Sequence, residues 1–107
     1  MISSLPQDFE SVHLHYTYIL VCRDGTFYTG YTPDLNRRLA VHNRGQGAKY
    51  TRTRRPVYLV YHEVFLSRHE AMSREYAIKQ LTRQEKLQLI LTHPFCLISS
   101  GESFKEK

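Results

Sequence analysis

The chain has 107 residues, 41% of them hydrophobic, so one modest core is within reach and neither several domains nor wholesale disorder fits. Fifteen Lys and Arg against ten Asp and Glu give a net charge of +5, which favours a polyanionic partner, nucleic acid first. No window approaches the ~20 apolar residues of a membrane span, and Met1 to Val12 lacks the basic start and apolar run of a signal peptide, so a soluble cytoplasmic protein with no membrane partner is expected.

Residues 1–14 read as a polar lead-in, with Ser3, Ser4 and Pro6. Tyr16 to Cys22 and Thr26 to Tyr31 are dense in aromatic and β-branched residues and flank Arg23-Asp24-Gly25, which predicts a β-hairpin. Two loops are open. A two-residue Asp24-Gly25 turn pairs Arg23 with Thr26 and puts Tyr18 and Tyr28 on opposite faces. A three-residue loop with Gly25 left-handed pairs Cys22 with Thr26, sets Tyr28 against Leu20 and Tyr18 against Gly30, and brings both tyrosines to one face. Thr32-Pro33-Asp34 predicts a helix start, with Thr32 as cap and Pro33 at the first helical position, running to about Asn43. Its stripe is Leu35, Leu39 and His42, with Arg38 beside it.

Ala48 to Arg55 is a basic loop closed by Pro56, and Val57 to Phe65 reads as a third strand. Ser67 with Glu70 and Thr82 with Glu85 are capping-box patterns, opening helices to about Gln80 and about Leu91, with His93-Pro94 as the final stop. Residues 92–107 read as a polar tail. The order β-β-α-β-α-α fits an α+β fold, a three-stranded antiparallel sheet flanked by helices, over residues 15–91.

Glu75 is the most informative residue. Ala71, Glu75 and Ile78 share a face flanked by Met72 and Leu81, and the four apolar residues are expected to pack inward. A carboxylate in such a stripe needs a partner, an arginine or a metal ion. Arg38 and His42 lie one turn apart, where guanidinium and imidazole together suit a phosphate, unless they are only a solvated basic face. Tyr18 and Tyr28 are either packing residues or, if the pKa of a phenol falls well below ~10, proton handlers. Lys49, Tyr50, Arg52, Arg54 and Arg55 resemble a nucleic-acid contact surface, in which cations would meet phosphates and the ring would stack on a base, unless the loop is only solvated. Cys22 and Cys96 lack metal spacing and are expected as free thiols, and His13, His15, His62, His69 and His93 are dispersed. There is no GxSxG, HExxH or Gly-rich phosphate loop.

Tyr16-Thr17-Tyr18 followed by Tyr28-Thr29-Gly30 resembles the paired motif of the GIY-YIG nucleases, and the ordered set Tyr18, Tyr28, Gly30, Arg38, His42, Glu75 matches that family's spacing. The runs GAKYTR, RRPV and REYAIK resemble its small stand-alone bacterial subgroup of unassigned proteins. The resemblance implies a three-stranded αβ sandwich and metal-dependent phosphodiester hydrolysis with one Mg2+ or Mn2+ ion. Carried across, Tyr28 activates or orients water, Tyr18 supports it, Arg38 stabilises transition-state charge, His42 assists proton transfer and Glu75 ligates the ion. Gly25 and Gly30 are structural. The substrate expected is nucleic acid, DNA ahead of RNA, with single-stranded or structured DNA preferred. The first motif lacks the family's Gly and Ile, Thr29 replaces an Ile, and Tyr31 stands where the excision-repair branch has a lysine. A non-catalytic nucleic-acid-binding module of the same fold is the alternative.

Overall fold

A computed structural model describes residues 13–92; the lead-in Met1 to Val12, Cys96, the His93-Pro94 stop and the rest of the tail lie outside the described residues. Strand β1 spans His15–Cys22, β2 Phe27–Thr32 and β3 Val57–Phe65; helix α1 spans Leu35–Asn43, α2 Lys49–Arg52, α3 Arg68–Lys79 and α4 Arg83–Leu91. The sheet order is β2-β1-β3, all antiparallel, so β2 is an edge strand.

The hairpin takes the three-residue loop. Cys22 N–H donates to Thr26 O at 2.8 Å, Gly25 N–H donates to Cys22 O at 2.8 Å, and Gly25 has φ 85°. That conformation disfavours any side chain, which is why glycine sits there. The register follows: Tyr18 opposes Gly30 and Leu20 opposes Tyr28, so both tyrosines share a face.

Each face of the sheet carries its own cluster. Tyr18, Leu20, Cys22 and Val57 are buried on one, against Leu35 and Leu39 of α1. Ile19, Tyr61, Ile78 and Ile90 are buried on the other, under α3 and α4. Each fully buried aliphatic contributes roughly 1.5–3 kcal/mol. The β1–β3 register shifts between Ile19 and Leu20, which face Tyr61 and Leu59. The extra β3 residue changes side-chain parity, letting β3 supply Val57 to one cluster and Tyr61 to the other. The Thr17 hydroxyl donates to Ala71 O at 2.6 Å and pins α3 across β1.

Three local expectations are corrected. The cap of α1 is Asp34, whose carboxylate accepts from Arg37 N–H at 3.1 Å; Thr32 instead ends β2 opposite Tyr16, its hydroxyl accepting from Asp34 N–H, and Pro33 precedes the cap. The basic loop contains the one-turn helix α2. Met72 does not pack inward: it is 41% exposed, because it lies about 100° around the helix from Ala71, which is fully buried. Ser67 and Thr82 cap α3 and α4, and the Thr82–Glu85 capping box is complete in both directions.

Candidate active site

Tyr18 stands on β1 with its hydroxyl where a Gly30 side chain would begin: a Cβ there would lie 2.5 Å from the phenolic oxygen. The glycine is therefore a space for the Tyr18 hydroxyl at the β2 edge. Tyr28 is held by three rings, with centroids 5.3 Å from His42, 6.1 Å from Tyr50 and 6.4 Å from Tyr18. Its hydroxyl makes no hydrogen bond among the described residues and is left for a ligand or water.

His42 is fully buried in the α1 stripe. Its Nε2 lies 3.0 Å from the Tyr18 hydroxyl and its Nδ1 lies 2.8 Å from Thr51 Oγ1. The Thr51 hydroxyl donates its single proton to Ala48 O at 3.0 Å, so toward His42 it accepts. This fixes the tautomer: Nδ1 carries the proton, Nε2 is bare, and the Tyr18 O–H donates to it. Burial, then the Arg38 charge, lowers the His42 pKa from 6.5 to about 4, so the ring is neutral near pH 7. Burial also pushes Tyr18 up to about 12, against hydrogen bonding to Arg38 and with the Tyr28 and Glu75 charges adding to the rise, so this phenol keeps its proton. Gly47 completes the arrangement, since a Cβ there would collide with His42 Nδ1.

Glu75 comes from the opposite layer, on α3 between buried Ala71 and Ile78. Its side chain is 18% exposed and pairs with Lys79 Nζ at 3.3 Å, one helical turn on, with Lys79 49% exposed. The carboxylate thus has a half-exposed ammonium as partner and, among the described residues, no guanidinium lock. Its charge is felt at the Tyr18 hydroxyl. Tyr18, Tyr28, Arg38 and His42 on one face and Glu75 from the other consequently meet around the β2 edge.

No group of three or more His, Cys, Asp or Glu suited to a metal occurs among the described residues. Glu75 would serve as the one protein carboxylate for a divalent ion. Magnesium accepts such a set, because it retains several waters and takes substrate phosphate oxygens for the remainder. The donor chemistry therefore fits.

Arg38 and His42 both act on the Tyr18 hydroxyl but differ in access: Arg38 is half-buried at the site, whereas His42 sits behind Tyr18 with both nitrogens taken and cannot face a phosphate. The basic segment is also divided. Lys49 and Arg52 are exposed; Arg54 bonds Asp24 at 3.1 Å and Tyr50 O at 2.8 Å, and Arg55 bonds Arg52 O at 2.8 Å. Tyr50 remains exposed, with the Arg54 guanidinium 3.9 Å from its ring centroid. Sequence reasoning missed Thr51, Gly47 and Lys79 as parts of this neighbourhood. Only Lys79 had a signal, its i+4 spacing from Glu75.

Residues 14–88 match the GIY-YIG catalytic domain, and the chain belongs to that family, whose general activity is nuclease action on nucleic acid. Within it, the chain is similar to small UPF0213 proteins. It is 59% identical over 76 residues to those of Staphylococcus aureus strain Mu50 and Staphylococcus haemolyticus, covering 71% of this chain and 93% of each relative. The solution NMR structure of the UPF0213 protein BH0048 from Bacillus halodurans is 52% identical, with a TM-score of 0.50 over 74% of this chain and 84% of that one. That of the protein EF2693 from E. faecalis is 49% identical, with a TM-score of 0.51 over 75% and 86%. Among the described residues no helix is long and apolar enough to cross a membrane.

Proposed function

We propose that the protein is a magnesium- or manganese-dependent endonuclease that hydrolyses nucleic-acid phosphodiester bonds, DNA ahead of RNA, with single-stranded or structured DNA preferred. The observation carrying this reading is the meeting of Tyr18, Tyr28, Arg38 and Glu75 at one sheet edge although they come from β1, β2, α1 and α3.

A bound divalent ion would supply charge neutralisation on a phosphoryl oxygen, with Glu75 as its protein ligand. Arg38 stabilises charge developing on the same phosphate through its planar fork. Tyr28, ring fixed and hydroxyl unengaged, orients the attacking water. Tyr18 stays neutral and holds its place by donating to His42. His42 is a positioning residue: buried and neutral, it sets the direction of the Tyr18 proton and does not carry protons to or from the substrate. The preference for accessible strands is supported by exposed Tyr50, stacked under Arg54, beside Tyr28.

The test is to incubate the protein with labelled single-stranded, duplex and flap DNA and with RNA, in magnesium, manganese or chelator. Nicking that requires a divalent ion is expected, fastest on single-stranded or flap DNA. Tight, salt-sensitive binding with no product under any ion would instead assign a binding module.

A further inference from the structure

Beside Tyr28 a hollow of about 260 Å³ is lined by Phe27, Tyr28, Thr29, Tyr50, Lys79 and Lys86. We infer that this hollow is a subsite for the nucleotide next to the scissile bond, its phosphate held by Lys79 and Lys86 and its base set against Phe27 and Tyr50.

Three observations carry it. The hollow is continuous with the candidate site, because Tyr28 belongs to both and Lys79 bridges them, pairing with Glu75 at 3.3 Å while lining the hollow. Lys86 is half-buried on α4 and has no ion-pair partner among the described residues. A half-buried cation without a carboxylate is suited to receive an anion. The two aromatic walls are fixed in place by guanidinium groups, Arg83 lying 4.6 Å from the Phe27 ring centroid and Arg54 3.9 Å from that of Tyr50. Two ammonium groups and aromatic walls are complementary to one phosphate and one base.

The subsite depends on the nuclease reading only for the position of the scissile bond, so binding is measured without cleavage. Fluorescence anisotropy of a labelled oligothymidylate in chelator, over a range of salt, gives affinity and its salt slope. Lys86→Gln should bind roughly tenfold more weakly, as for a lost bond to a charged group. The slope of log K against log salt should flatten by about 0.7, one single-strand phosphate contact. Lys86→Arg should restore both, and the same charge change at Arg44, which does not line the hollow, should flatten the slope by less. Parental affinity and slope in Lys86→Gln, or no binding by the unmodified protein, would overturn the subsite. Normal loss in Lys86→Gln from a protein that never cuts would remove the nuclease reading and leave the subsite standing.

Discussion

Thr51→Val is the sharpest probe of how Tyr18 is held. Valine keeps the shape of threonine, but it removes the oxygen that accepts from His42 Nδ1–H at 2.8 Å. That N–H is fully buried, so leaving it unpaired costs about 1–3 kcal/mol. In a domain of this size each kcal/mol lowers the melting temperature by about 4–8 °C. The ring has one escape, to move its proton to Nε2, and then Tyr18 can no longer donate to it. Circular dichroism melts read the stability, and imidazole 15N shifts read the tautomer. The expected result is a lower melting temperature together with loss of the Nδ1–H form, both restored by Thr51→Ser. An unchanged melting point and an unchanged tautomer in Thr51→Val would refute the relay from Tyr18 through His42 to Thr51.

Further outcomes follow from the same geometry. Stability should fall as pH drops from about 6.5 toward 4: His42 takes a proton near 6.5 when unfolded but only near 4 when folded, so acid favours the unfolded chain across that window, by on the order of 3 kcal/mol in total. Urea midpoints at several pH values measure this, and a flat profile from 6.5 to 4.5 contradicts the buried neutral ring. Gly30→Ala should displace the Tyr18 hydroxyl from His42 and lower both melting temperature and cleavage, with an overpacking cost of roughly 1–3 kcal/mol; cleavage at the parental rate would show that the hydroxyl's position is immaterial. Arg38→Ala should slow single-turnover cleavage about 10²–10³-fold while the circular dichroism spectrum is retained, and a change of twofold or less would remove Arg38 from charge stabilisation.

Much of the fold was legible in local chemistry. Val57 to Phe65 and the capped helices after Ser67 and Thr82 appear where composition and capping patterns place them, because those signals act within a few residues. The hairpin loop was not decidable, since Asp24-Gly25 suits either turn, and Thr32 was misplaced because a threonine before proline reads as a cap even when the strand claims it. The candidate site was legible as a spaced set of residues but not as a geometry. The pattern around Arg38 and His42 shows that both leave one side of α1; it does not show that one stays half-buried and the other lies fully buried behind Tyr18. Thr51 and Gly47 were invisible because their importance is a contact with His42 made across a turn, with no periodicity to announce it. Lys86 is remote from Glu75 in sequence and reaches the same edge only through the packing of α4.

The most direct measurement is cleavage of a labelled DNA strand in magnesium by the parent protein and by Glu75→Gln, which removes the charge and leaves the shape. Among the described residues Glu75 is tied only to a half-exposed lysine, so the variant should melt close to the parent yet yield no product above the chelator control. Product formed by Glu75→Gln at the parental rate would contradict the placement of the metal, and with it the active site at the β2 edge.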